Sequence, residues 1–256
     1  LSSAHLIAKM SPMPVPVSSV RSIKYLVPLL TLLLAACATT DVAVRSGTSA
    51  GNHAEQLASD GELDAAAQEF LALADGSNGA DSAHYRLRAA EVLRETGDLD
   101  AAAQAIEAIR RKRLSGDEPL RLDLIDAEVA LKRGDAQRAS ALLAASEESI
   151  PPGLRVRVLE LRARAAAASG DRFAAARIRA QLDSELGGHD RDTNREQIIE
   201  TLGALDDASL KARAGSLRPD DSLLPWIEQA LRLRGQTLPR DVPRPQRPVG
   251  TLIPDS

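Results

Sequence analysis

Stretches in which alanine, leucine and other apolar residues recur among charged residues at the spacing of an α-helix make up most of the chain. Residues 82–96, 99–111 and 119–133 are the clearest examples. Single glycines separate such stretches, and a glycine ends a helix readily because it adopts the left-handed conformation without a side-chain clash. The pattern therefore predicts helices that are joined in antiparallel pairs by short glycine turns.

One of these turns recurs four times with a fixed spacing. The glycines at 61, 97, 134 and 170 lie 36 or 37 residues apart, and an acidic residue follows each of them. We expect that acid to cap the second helix of each pair. An alanine also stands seven residues before and five residues after each glycine, where a small side chain lets two helices approach closely. These alanines are Ala54, Ala66, Ala90, Ala102, Ala127, Ala139, Ala163 and Ala175.

A period of this length is typical of stacked-repeat proteins. The small residue, the Gly-Asp turn and the later alanine resemble the tetratricopeptide repeat (TPR), although the aromatic positions of that family are not matched. The chain has only two Phe, two Tyr and one Trp. The predicted fold class is all-α: a TPR-like solenoid of antiparallel helix pairs over residues 51–235, with about four repeats and a core of alanine and leucine.

The period breaks after the fourth glycine turn, where the pattern predicts closing helices instead. One has an apolar face of Ile198, Ile199, Leu202 and Leu205, and Asp206 or Asp207 caps the next. A last helix has its apolar face at Trp226, Ile227, Ala230, Leu231 and Leu233. We expect Trp226 to be the packing anchor that closes the solenoid.

Composition and motifs argue against several classes of function. The net charge is −4, and no basic patch with interleaved aromatic residues indicates a nucleic-acid partner. The single cysteine cannot form an internal disulfide or a cysteine metal site, and the four histidines are scattered. No nucleophile elbow, zinc-protease motif or phosphate-binding loop is present. We therefore predict no catalytic residue, no metal site, no cofactor and no enzymatic activity.

The beginning of the chain is typical of a secretory signal. Arg21 and Lys24 precede an apolar run of about twelve residues, which is shorter than the roughly twenty that span a bilayer. The run ends in Leu34-Ala-Ala-Cys37, which resembles a bacterial lipobox. That resemblance implies a signal peptide at residues 1–36 and a lipid-modified Cys37, carrying acyl chains such as palmitate. Ala38 after the cysteine favours the outer membrane, facing the periplasm, and residues 37–50 would form a tether. The alternative is a buried cysteine after a soluble signal.

A solenoid of this kind suggests binding rather than catalysis. In TPR geometry the first helix of each pair lines the concave face, which predicts a groove for a peptide or a protein. The alternative is an ordinary solvated helix face, because the charges on it are of both signs. The candidate binding residues are His84, Glu91, Arg94, Glu128, Lys132, Arg157 and Arg164.

Residues 154–235 carry a more specific resemblance, to the N-terminal domain of the LpoA family. Its members are outer-membrane lipoproteins that activate class A penicillin-binding proteins. The resemblance implies such a synthase as partner, with peptidoglycan as a further possible contact, and a role in cell-wall synthesis and cell shape. The matching residues, in order, are Arg162-Ala163, Gly170-Asp171, Ala176-Arg177, Asn194-Arg195, Leu202 and Trp226-Ile227.

The end of the chain fits the same family. Residues 236–248 are Pro-rich and predict an extended linker, and residues 249–256 resemble the first strand of the α/β domain that follows in LpoA proteins. The alternative is that the tail packs back on the last helices. The leading functional hypothesis is a lipoprotein scaffold that regulates a peptidoglycan synthase, and the alternative is a TPR lipoprotein for assembling outer-membrane or pilus machinery.

Overall fold

The computed structural model describes residues 49–145 and 147–242, and this part of the chain is helical and has no β-strand. The predicted all-α class is therefore confirmed. The described residues from Gly51 to Val242 belong to one compact unit. The helices are α1 (49–59), α2 (Leu63–Asp75), α3 (Gly79–Glu95), α4 (Leu99–Glu107), α5 (Glu118–Lys132), α6 (Ala136–Leu142), α7 (Pro152–Ala168), α8 (Arg172–Leu182), α9 (Gly188–Gly203), α10 (Asp207–Gly215) and α11 (Leu224–Leu233), with 3-10 turns at Arg111–Arg113 and Glu147–Ser149.

The four glycine turns join α1 to α2, α3 to α4, α5 to α6 and α7 to α8. Each glycine has a φ between 78° and 86°, which favours glycine because a side chain would be strained there. In the second turn, Gly97 N–H donates to the Arg94 carbonyl and Asp98 N–H donates to the Leu93 carbonyl. This is the Schellman arrangement, which satisfies carbonyls at the end of α3. The predicted role of the glycines is confirmed.

Three of the four acids after the glycines cap the next helix. The side chains of Asp98, Asp135 and Asp171 each accept a hydrogen bond, 2.9 Å long, from a backbone N–H in the first turn. Glu62 makes no such bond, so the predicted cap is wrong at the first turn. The glutamate side chain is one methylene longer and is not a favoured N-cap.

The eight phased alanines are all buried, with at most 1% of each residue exposed. Across each pair, two of them bring the helices close together. Successive pairs then stack, so that α3 packs against α5 and α5 packs against α7. The second helices of the pairs, α2, α4, α6 and α8, contact one another less than the first helices do. Helices α3, α5 and α7 therefore form the more closely packed layer, and in TPR geometry the first helices of the pairs line the concave face.

Helices α9, α10 and α11 close the stack around a large apolar cluster. Trp226 is 4% exposed and packs in this cluster with Ile198, Leu202 and Leu210. Its burial agrees with the predicted role as the packing anchor of the closing helices. Asp206 is the cap of α10, since it accepts from Ser209 N at 2.8 Å. Leu233 was expected on the buried face of α11 but is 60% exposed. It lies two residues after the buried Leu231, which is about 200° around the helix.

The segment after α11 packs on the closing helices as far as Val242. Gln236 N–H donates to the Leu231 carbonyl, and Leu238 and Val242 are buried in the same cluster as Trp226. The sequence predicted an extended linker from residue 236, but residues 236–242 belong to the packed domain. The rest of that linker and the predicted strand lie outside the described residues, as do Cys37, the predicted signal peptide and the tether up to residue 48. Residues 49 and 50 of the predicted tether are helical.

Within residues 49–145 and 147–242, no helix is both long enough and apolar enough to cross a bilayer.

Candidate functional site: the concave face

Two positions of the repeat place charged residues on the concave face. Six residues before the glycine stand Glu55, Glu91 and Glu128 in the first three pairs, and Arg164 in the fourth. Thirteen residues before it stand His84, Arg121 and Arg157 in the second to fourth pairs. The two positions are seven residues apart, about two helical turns, so they lie on the same face of their helix.

A chain of ion pairs connects α1, α3 and α5 through these positions. Arg88 donates from Nε to Glu55 Oε1 at 2.7 Å and from Nη1 to Glu91 Oε2 at 2.5 Å. Arg121 donates to the other side of Glu91, from Nε to Oε1 at 2.6 Å. Glu91 is 7% exposed, so its charge is almost fully removed from water. Two guanidinium groups compensate this burial and tie three successive odd-numbered helices together.

The same pairs shift the ionisation of their members. The hydrogen bond from Arg88 lowers the pKa of Glu55, against the effect of burial. The bond to Glu55 in turn raises the pKa of Arg88. Both groups are therefore held in their charged forms, and we call the Glu55–Arg88–Glu91–Arg121 chain the charge ladder.

His84 extends the contacts between α3 and α5. Its Nδ1 lies 2.6 Å from Oε1 of Glu118, the first residue of α5, and Glu118 also accepts from Ser115 N at 2.9 Å. Burial opposes ionisation of Glu118, but these hydrogen bonds outweigh it and lower its pKa. His84 thus joins two repeats.

Glu128 and Arg157 repeat the pattern between α5 and α7. Arg157 donates from Nη2 to Glu128 Oε1 at 3.1 Å. Burial lowers the pKa of Arg157, and the positive charge of Arg94 acts in the same direction, whereas Glu128 and Glu91 oppose it. Arg94 itself donates to Glu95 at 3.1 Å. Of the seven predicted site residues, His84, Glu91, Arg94, Glu128 and Arg157 thus take part in the interactions among α3, α5 and α7, and of these five only Glu128 and Arg157 pair with each other.

The other two predicted residues lie apart from that group. Lys132 donates to Asp100 of α4 at 2.9 Å, an exposed pair that faces an even-numbered helix. Arg164 stands where the other repeats have glutamate, and it lines a cavity with Arg172 and Arg179 of α8 and Gln197, Glu200 and Thr201 of α9. The cavity has a volume of about 570 Å³.

Several residues of this face were missed by reasoning from the sequence. Glu55, Arg88 and Arg121 complete the charge ladder, and Arg172 and Arg179 complete the cavity. Glu55 and Arg121 could have been found by applying the minus-six and minus-thirteen positions to every repeat. Arg88, Arg172 and Arg179 occupy neither position, so the spacing carries no signal for them.

No group of three or more His, Cys, Asp or Glu side chains that could hold a metal ion occurs among residues 49–145 and 147–242. The arrangement is a lattice of ion pairs between helices, followed by a cationic cavity.

The polar residues that carried the LpoA resemblance make contacts between the helices of the second half. Arg162 donates to the Leu143 carbonyl, and Arg195 donates to Asp183 Oδ1, each at 2.9 Å. Asn194 is 3% exposed and donates to the Arg179 carbonyl at 3.0 Å. The motif thus sets how α6 to α9 pack.

Comparison with protein families decides the assignment. The family model described as LppC putative lipoprotein matches residues 61–232. The chain belongs to the LppC family. This match, together with the solved structures described next, confirms the predicted LpoA-type assignment. A search of curated proteins found no match.

Solved structures share the fold of this LppC chain. Haemophilus influenzae LpoA matches with a TM-score of 0.52 and 18% identity over 66% of this chain and 31% of that protein. The isolated N-terminal domain of the same protein matches with a TM-score of 0.51 and 18% identity, over 66% of this chain and 77% of the domain. This chain thus spans about a third of the full-length LpoA that it matches.

Proposed function

We propose that this chain is an outer-membrane lipoprotein, anchored through Cys37 on the periplasmic face, whose helical domain regulates a class A penicillin-binding protein through protein–protein contacts. Peptidoglycan synthesis would be controlled through that partner, without catalysis by the chain itself. The observation that carries the proposal is the LppC match over residues 61–232. The lipobox-like Leu34–Cys37 and the LpoA-type helical fold support it.

The charges of the concave face agree with a scaffold. A surface whose ion pairs are already satisfied holds its shape without a ligand, and a preformed surface loses less entropy on binding. Peptidoglycan is a second contact in this proposal.

Binding to the synthase tests the proposal directly. The purified chain is immobilised, and purified class A and class B penicillin-binding proteins are passed over it in a biosensor. We expect saturable binding of a class A enzyme at micromolar concentration or tighter, and none of the class B enzyme. Equal binding of both classes, or of neither, would contradict the proposed partner.

The lipid anchor is tested separately in cells. Cys37→Ser removes the thiol that the lipobox resemblance assigns to acylation, so the protein should leave the outer-membrane fraction and lose labelling with a fatty-acid probe. Thr40→Ser, in the predicted tether, serves as the matched control and should fractionate as the unaltered protein does. Unchanged fractionation of Cys37→Ser would overturn the anchor.

A further inference from the structure

The fourth repeat reverses the charge at the minus-six position and leaves it without a partner. Glu55, Glu91 and Glu128 each accept from an arginine, at distances of 2.7 Å or less for the first two and 3.1 Å for the third. Arg164 has no hydrogen-bond or ion-pair partner among the described residues, and neither does the side chain of Arg172. The series of charge-neutral glutamate–arginine pairs along the concave face therefore ends at the cavity between α7, α8 and α9.

Arg179 lies in the same cavity and is held in place by the buried Asn194. The Asn194 amide donates to the Arg179 carbonyl at 3.0 Å, and Arg179 Nη1 lies 3.3 Å from Asn194 Oδ1. Burial lowers the pKa of Arg179, Arg164 adds to that effect, and Glu160 opposes it. An anion between Arg164 and Arg179 would relieve the repulsion between them.

Negative charges near the cavity do not cancel its positive charge. Glu200 of α9 lies on its lining, and Glu160 of α7 acts on Arg179, so two carboxylates stand against the guanidinium groups of Arg164, Arg172 and Arg179. Guanidinium groups favour carboxylate or phosphate because their paired N–H donors match two oxygens.

We propose that this cavity binds an acidic peptide segment of a partner protein, with glutamate or aspartate carboxylates on Arg164 and Arg179. The inference rests on the proposed scaffold function, for which it supplies a contact site. The volume of about 570 Å³ lies within the roughly 300–1,000 Å³ of ligand pockets and exceeds what a lone anion needs. Leu131, Ala167 and Ala168 add an aliphatic surface for the peptide, and Gln197 adds an amide.

A nucleic acid fits this cavity less well than a peptide. No aromatic side chain lines it on which a base could stack, and the whole chain has a net charge of −4. Clusters of arginine are a recurring means of recognising acidic peptide motifs.

The test uses the purified full chain and a tetra-glutamate peptide with a neutral fluorophore, followed by fluorescence anisotropy at low and moderate salt. Arg164→Glu restores the residue type of the other three repeats and should weaken binding at least 10-fold. Lys112→Glu makes the same charge change at an exposed position in the Arg111–Arg113 turn and should leave the affinity within about twofold. A tetra-glutamine peptide should not bind, and melting temperatures verify that both variants fold.

Any of the following results would overturn the inference. Absence of tetra-glutamate binding, or equal weakening by Arg164→Glu and Lys112→Glu, would remove the site. Displacement of the peptide by millimolar inorganic phosphate would indicate a general anion site, and tighter binding of an oligothymidylate would indicate a nucleic-acid site. The binding of the class A penicillin-binding protein is measured in a separate assay. If the tetra-glutamate peptide does not bind but the penicillin-binding protein does, only the peptide site in this cavity is rejected, and the proposed function stands.

Discussion

The concave face has two regions that share one repeat position and differ in its charge. In α1 to α5 each glutamate at minus six pairs with an arginine, and Glu91 is buried between two of them. These pairs tie neighbouring helix pairs together. At α7 the same position holds Arg164, which is exposed beside a cavity and pairs with no carboxylate among the described residues. One position therefore serves stability in the first region, whereas in the second it is left available for a ligand.

The largest expected difference between the regions is in the cost of removing the charged side chain. Glu91→Ala leaves Arg88 and Arg121 half-buried without their shared carboxylate, so we expect the free energy of unfolding to fall by about 3 kcal/mol. Urea denaturation of the unaltered protein and of Glu91→Ala measures this difference in the free energy of unfolding. A loss of less than about 1 kcal/mol would show that the ladder contributes little, as exposed ion pairs usually do.

The alanine contacts should be equally sensitive in both regions, because close helix approach does not depend on the charges. Ala127→Leu and Ala163→Leu introduce a large side chain where the residue is 0% exposed, and each should cost about 1–3 kcal/mol. Gln137→Leu, on the exposed surface of α6, should change stability by less than about 0.5 kcal/mol. Equal melting temperatures for all three variants would contradict the packing described.

Acid should weaken the first region in particular. Glu118 has a lowered pKa in the folded state, so its contribution to stability is complete above the unfolded-state pKa of about 4.3 and is lost as the pH falls through the lower folded pKa. Glu118→Gln should therefore be less stable than the unaltered protein at pH 7, and the difference should shrink below about pH 4. A difference that is constant with pH would mean that the charge of Glu118 is not responsible.

The smallest effect is expected at Arg164. Its side chain is exposed and forms no ion pair with the described residues, so Arg164→Ala should change the free energy of unfolding by less than about 0.5 kcal/mol. A loss close to that of Glu91→Ala would remove the distinction between the two regions. Chemical denaturation under the conditions used for Glu91→Ala allows a direct comparison.

The fold was more predictable from the sequence than the binding face was. The glycines and alanines act through backbone conformation and side-chain size, which are properties of single residues at fixed offsets. The face depends on which long side chains meet across helices, and that depends on the stacking of the pairs. Lys132 was grouped with the concave residues by its distance from Gly134, but in the structure it reaches Asp100 of α4.

By itself, the sequence determined the all-α class, the paired helices, the positions of the turns and the closing role of Trp226, because each follows from local propensity or from a periodic small residue. Only the tertiary structure decided that Glu91 lies between two arginines of different helices, and that residues 236–242 pack rather than extend. It also decided that Arg164, Arg172 and Arg179 surround one cavity. These outcomes depend on distances between residues far apart in the chain, which no repeat period encodes.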